Sequence, residues 1–239
     1  MTRRLPLLRI LLTAHLSFAA ILWAVILLGT FAILAVIQVS SPWDVDRSIW
    51  HYAATQTTRW IPFALGIDAI TTYLRPHLAH GRPRREFLAQ LWPYFACLAM
   101  LLGLLVTFGY LIERWVYAGP GWSQTLLFAA LFGDAHNYAG VLGAYTLTFL
   151  LWAVAGSLLA AAFLRNVLLG LILVPFAGAL VAPSEFLVGL NGVPQFTELL
   201  EELDFPQNLG VVLSPAGLVL AGLAMWAILR RMPLRPRVT

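Results

Sequence analysis

Charge in this chain is confined to short segments, and long apolar runs lie between them. An α-helix needs roughly 20 apolar residues to cross a hydrocarbon core, and the runs are read against that length. From Ile10 to Trp43 the only ionisable side chain is His15, which leaves room for a first span near 18–39 and part of its lead-in. A second span is predicted over 60–74, squeezed between Arg59 and Arg75 and carrying Asp68. On one helix those two arginines would stand about 24 Å apart, so both would reach outward to headgroups. The third span lies in 87–112, the fourth within 135–164 and ended by Arg165, the fifth in 166–184 with a kink expected at Pro175, and the sixth near 209–229.

Two segments carry helical amphipathicity in place of uniform apolarity. In residues 1–16, Arg9, Thr13 and Ser17 share one stripe, and Leu8, Leu11, Leu12 and Leu16 share the other side. This pattern suits a short helix lying in the membrane interface, or a plain cytoplasmic start to the first span. Arg3-Arg4 meets the twin-arginine pair, but the uncharged run behind it is too long for a signal-peptide core, so an uncleaved anchor is expected. Between the fifth and sixth spans, Phe196, Leu199, Leu200 and Leu203 recur at three and four residues, the period of an amphipathic helix beside the membrane on the outer face.

Composition agrees with lipid as the main solvent. The chain is 60% hydrophobic and 11% charged, against about 25% charged in soluble domains. All fifteen basic residues are arginine. Twelve of them (Arg3, Arg4, Arg9, Arg75, Arg82, Arg84, Arg85, Arg165, Arg230, Arg231, Arg235 and Arg237) fall at the ends of the chain and in the loops after spans two and four. Nine of the eleven acids fall in the other three loops, leaving Glu86 on the basic side and Asp68 inside a span. Basic residues are retained in the cytoplasm, so the sorting predicts six helices with both termini inside. Sorted by loop, the net charge of +4 implies no nucleic-acid partner. No repeat, low-complexity stretch or soluble boundary interrupts the chain, and 1–239 reads as one membrane domain.

The candidate chemistry is sparse. Without lysine the chain holds neither a phosphate-binding P-loop nor a Schiff base. Cys97 is alone in an apolar run, where it reads as a small buried hydrophobe, and no disulfide is available to it. The tryptophans at 43, 50 and 60 form an interfacial belt or pack on the protein. Small residues at Gly140, Gly143, Ala155, Gly156, Ser157, Ala160 and Ala161 allow close helix contact. A carboxylate within a span marks a polar site by default, so Asp68 is functional, or protonated, or bonded to Thr71, Thr72 or a neighbouring helix. An aspartyl-protease pair of Asp68 with Asp134 is disfavoured because Asp134 falls in an outer loop. The histidines do not face each other across spans as haem ligation requires, and no His-Glu-x-x-His zinc motif occurs.

The basic segment lying between two spans is Arg75 to Phe87, with four arginines in thirteen residues. Gly81 permits a reversal, Arg82, Arg84 and Arg85 offer planar donors to carboxylates or anionic lipid, and Glu86 sits in the first turn of the next helix, where negative charge is favoured. Composition alone accommodates a purely topogenic loop. The run Gly81-Arg82-Pro83-Arg84-Arg85-Glu86-Phe87 between spans two and three, with the six-span layout and the outer amphipathic helix, resembles type-2 ABC exporter permeases of high-GC Gram-positive bacteria. Pro83 and Asp68 are departures from that pattern. The resemblance implies a single permease domain in the bacterial plasma membrane, paired with a second permease and with cytoplasmic ABC ATPase subunits. Those subunits would hold the ATP and Mg, and this chain would carry no cofactor and no catalytic residue. Gly81, Arg82, Arg84, Arg85, Glu86 and Phe87 would couple the permease to the ATPase. The competing reading is a non-transporting accessory membrane subunit.

Overall fold

The computed structural model describes residues 6–40, 46–126, 130–189 and 209–230. These form helices α1 (Pro6–Ser40), α2 (Ile49–Thr57), α3 (Trp60–Thr71), α4 (Leu74–Ala79), α5 (Arg84–Ala118), α6 (Tyr138–Arg165), α7 (Val167–Val181), α8 (Pro183–Val188) and α9 (Leu209–Arg230). No strand occurs among the described residues, only an isolated bridge between Arg47 and Thr125. Five segments are long and apolar enough to cross a membrane: Leu7–Ile37, Arg84–Ala118, Tyr138–Arg165, Val167–Val188 and Gly210–Arg230. The chain is an all-helical, multi-pass membrane protein.

Helix α6 is the axle. It packs against α3, α5, α7, α8 and α9, and 72% of its most apolar window is buried, against 11% for α1. The small residues expected at helix contacts act on the α3–α6 face. A methyl group built at Gly66 would lie 2.1 Å from the Ala153 carbonyl oxygen, and one at Gly156 would lie 2.2 Å from the Phe63 carbonyl oxygen. The two backbones therefore approach reciprocally, each helix using a glycine to admit the other's carbonyl.

The segment expected as the second span is broken. Helix α3 has 12 residues, about 18 Å of rise, too short to cross a core of about 30 Å. Pro62 accounts for the break before it. Proline has no N–H for the Thr58 carbonyl four residues back, and its ring crowds that carbonyl. Ile61 N–H bonds Thr58 instead, at 3.1 Å. Arg59 does not reach outward as expected. It is 8% exposed, donates to Gln56 Oε1 at 3.0 Å and lies 5.2 Å from the Trp152 ring centroid, which cation–π attraction favours.

The start of the chain also departs from expectation. Among the described residues no separate interfacial helix precedes the first span; α1 runs unbroken from Pro6, the alternative of a plain lead-in to that span. Its buried stripe is Leu7, Leu11, His15 and Ala19, at a spacing of four, while Leu16 is exposed. Similarly, the predicted loop at 113–118 is the last turn and a half of α5, and the turn between α6 and α7 is the single extended residue Asn166, whose side chain caps Leu168 N–H at 2.9 Å. Trp50 is fully buried and belongs to no belt, whereas Trp60 and Trp115 are exposed. Cys97 is exposed on α5, contrary to its expected burial. The predicted outer helix at 196–203 and the arginines at 3, 4, 231, 235 and 237 lie outside the described residues.

Contacts between helix ends define two chemically distinct ends of the bundle. Leu7 N–H donates to Gln90 Oε1 at 3.0 Å, and Arg84 donates to the Arg230 carbonyl at 2.9 Å. The starts of α1 and α5 and the end of α9 thus share one end, with Arg165 beside Arg230. At the other end of α5, Arg114 and Tyr117 line a cavity with Asp134 and His136.

Candidate functional site

The basic turn is built from α4, residues 80–83 and the first turn of α5. Gly81 has φ +73°, in the left-handed region that glycine enters without penalty, and its N–H closes onto the Leu78 carbonyl at 3.0 Å. Pro83 is extended (ψ 147°) and caps α5, its carbonyl accepting from Glu86 N–H at 3.0 Å and Phe87 N–H at 3.4 Å. Of the six residues expected to meet a partner, the turn divides the roles. Arg85 is exposed. Arg82 pairs with Glu86 at 3.5 Å, Arg84 holds the end of α9, and Glu86 accepts from Gln90 at 3.1 Å. Phe87 is fully buried, edge-on to His77 with ring centroids 5.3 Å apart. It anchors the turn from the inside.

Burial pushes His77 below the ordinary imidazole range, while the Pro83 backbone and Glu86 pull it partly back and Arg82 and His80 oppose protonation. A histidine whose folded pKa is depressed contributes stability that is present above its unfolded pKa of about 6.5 and is lost as pH falls. Proteolytic cleavage in the α4–α5 turn is therefore expected to speed up between pH 7.5 and 5.5 in detergent, and His77→Phe is expected to flatten that dependence. A wild-type rate that is equal at both values, after correcting for the protease, would disprove it.

A second cluster collects around Asp68, one turn before the end of α3. Its Oδ2 lies 2.8 Å from His15 Nε2, and its Oδ1 accepts from the Thr72 hydroxyl at 2.6 Å. His15 Nδ1 makes a short hydrogen bond with the Tyr94 hydroxyl, and the Tyr73 ring stands edge-on to His15 at 5.8 Å. With the proton on Nε2, all three donors are used in one direction: Tyr94 to His15, His15 to Asp68, Thr72 to Asp68. The carboxylate is thus bonded to Thr72 and to a neighbouring helix. It ties α1, α3 and α5 together near the basic end. In a double-mutant cycle, His15→Gln and Asp68→Asn are expected to couple by about 1 kcal/mol, because Asp68 is 42% exposed. Additive effects on unfolding in detergent would refute the tie.

At the opposite end a carboxylate network locks α2 onto α5. Glu113, fully buried, accepts from Ser48 Oγ at 2.5 Å, Trp50 N–H at 2.7 Å and Gln124 Nε2 at 2.7 Å. The carboxylate sits at the start of α2, where the helix dipole and the unpaired N–H groups favour negative charge. Trp50 then seats its indole against Gly109 and donates from Nε1 to the Val106 carbonyl at 2.9 Å.

Asp134 remains far from Asp68. It accepts from His136 N–H and Nδ1, both at 2.9 Å, and these bonds lower its carboxyl pKa. It lies beside Tyr117, Asp68 lies beside Tyr94, and the rise along α5 separates the two tyrosines by about 35 Å. An aspartyl pair is therefore not formed. No group of three metal-ligating side chains occurs among the described residues.

Comparison with protein families, curated proteins and solved structures finds no match. The residues that sequence reasoning missed are Glu113, assigned to a loop because it follows the apolar run, and His15 as the partner of Asp68. A signal for the latter was present: His15 is the lone ionisable group of its apolar run, Asp68 is the lone acid or base among residues 60–74 apart from the phenol of Tyr73, and each is costly in lipid without a partner.

Proposed function

We propose that the chain is the membrane-spanning permease subunit of an ATP-driven exporter of the type-2 ABC class, in a bacterial plasma membrane. In this reading the chain crosses six times, the second crossing being made by the broken pair α2–α3, and both termini are cytoplasmic. The basic turn Gly81–Phe87 is the coupling element. A cytoplasmic ABC ATPase, which carries the ATP and Mg, docks on Arg82 and Arg85, and a second permease completes the assembly.

The observation that carries the proposal is how the turn is braced. Arg84 grips the carbonyl of Arg230 at the end of α9, and Glu86 reaches through Gln90 to the first turn of α1. A push on the turn would displace α1 and α9 together with α5, which suits rigid-body switching of a bundle. A loop that served only topology would not require this bracing.

The internal contacts also select the test. Arg84 is a poor probe, because its loss also loosens α9. Arg82→Glu with Arg85→Glu reverses charge at the outward part of the turn, where only the exposed Arg82–Glu86 pair is given up, an interaction of less than about 1 kcal/mol. Co-purification with a cytoplasmic ABC ATPase co-expressed with the chain, and the ATP turnover of the complex, are expected to fall at least tenfold while the melting temperature of the permease stays within about 2 °C. Binding and turnover that match wild type would reject docking by this turn and favour an accessory membrane subunit.

A further inference from the structure

The basic end of the bundle has a notch of about 350 Å³ between the ends of α6 and α9 and the start of α7. Arg165 and Arg230 stand on its rim, Leu169, Ala227 and Ile228 line it, and Trp226 completes the wall. No carboxylate among the described residues lines it. The Arg230 guanidinium lies 4.5 Å from the centroid of the Trp226 ring, an arrangement that holds a cation at the level where indole rings sit in a membrane interface. Helix α7 begins beside the notch at Val167 and presents the positive end of its backbone dipole there. Below the rim the wall continues as bare hydrocarbon: Leu168, Leu171 and Ile172 on α7, and Leu220 and Leu223 on α9, are all more than half exposed.

We infer that this notch binds an anionic glycerophospholipid. Its phosphate would lie between Arg165 and Arg230, and its acyl chains would run along the α7 and α9 faces. Each part of the site answers one part of the ligand. Guanidinium groups pair with phosphate oxygens in a planar, bidentate fashion. The apolar lining and the exposed leucines suit methylene chains, and burial along them contributes about 0.8 kcal/mol per CH₂. The headgroup class follows from charge. A choline or ethanolamine head would bring its own cation to a rim that already holds two guanidiniums, with the Arg84 guanidinium one carbonyl away. A free phosphate would meet the arginines but gain nothing from the apolar wall. This inference stands apart from the proposed transport function, since a membrane subunit of any kind could carry the site.

The test uses the full chain in detergent, stripped of lipid. Phosphatidylglycerol, phosphatidylcholine with the same acyl chains, and glycerol 3-phosphate are added separately, and bound lipid is counted by native mass spectrometry. One phosphatidylglycerol is expected to remain bound at a concentration where phosphatidylcholine and glycerol 3-phosphate do not. Arg165→Gln with Arg230→Gln is expected to reduce its occupancy about tenfold, while Arg114→Gln at the opposite end leaves it unchanged. Equal retention of phosphatidylcholine would overturn the proposal, as would binding of glycerol 3-phosphate alone, or a double variant that holds phosphatidylglycerol like wild type. The lipid series on the unaltered protein decides the matter even if the double variant fails to accumulate.

Discussion

Gly66→Ala and Gly156→Ala are each expected to destabilise the bundle by about 3 kcal/mol or more, at the upper end of what overpacking costs. The obstacle in each case is a backbone carbonyl, that of Ala153 for Gly66 and that of Phe63 for Gly156. A side chain could rotate away, but a carbonyl inside a helix cannot, so α3 must withdraw from α6 along its length. One withdrawal relieves both clashes. The double substitution is therefore expected to cost much less than the sum of the single ones, a coupling that distant sites would not show. Unfolding in mixed micelles, followed by tryptophan fluorescence, reads both quantities. Gly143 serves as control, because a methyl group there meets nothing within 4 Å, and Gly143→Ala is expected to be neutral or slightly stabilising. Near-neutral substitutions at Gly66 and Gly156 would mean that α3 does not press on α6 as described.

Glu113→Ala is the second large effect, expected at about 3 kcal/mol. The substitution strands the Trp50 backbone N–H and one N–H of the Gln124 amide, whose other N–H keeps the Tyr110 carbonyl at 3.1 Å, and each buried donor left without an acceptor costs roughly 1–3 kcal/mol. Ser48 suffers less, because its hydroxyl can rotate and its oxygen still caps His51 N–H at 2.9 Å. Glu113→Gln keeps one acceptor oxygen and is expected to recover about half of the loss. The readout is again unfolding in micelles, and Glu113→Ala as stable as wild type would remove the network from the forces holding α2 to α5.

The gross architecture was legible because lipid exposure leaves a coarse mark: long uncharged runs, with arginine sorted by segment. The runs around α1, α5, α6, α7 and α9 could be found from length and hydropathy alone. The limits of α3, in the segment expected as a second span, could not, because they depend on Pro62 and on the carbonyl it denies to Thr58, a local event that a hydropathy window averages away. Arg59 was misread for a related reason. Sequence position puts it at a membrane edge, but its surroundings are set by Trp152, almost a hundred residues distant. Glu113 shows the same limit. A carboxylate after an apolar run looks solvated until three donors from residues 48, 50 and 124 converge on it. The turn at 81–87 was read at the correct place, since glycine, proline and clustered arginine act locally. The buried position of Phe87 and the grip of Arg84 on α9 are tertiary, and no local pattern encodes them.

Sidedness is tested most directly by single-cysteine accessibility in a Cys97→Ser background. Arg85→Cys and His136→Cys would be exposed, one at a time, to a membrane-impermeant maleimide in right-side-out and in inverted vesicles. Labelling of position 85 only in inverted vesicles, and of position 136 only in right-side-out vesicles, is the expected result. Position 85 reacting from the outside would contradict a cytoplasmic basic turn and, with it, the docking of any motor on the cell's interior.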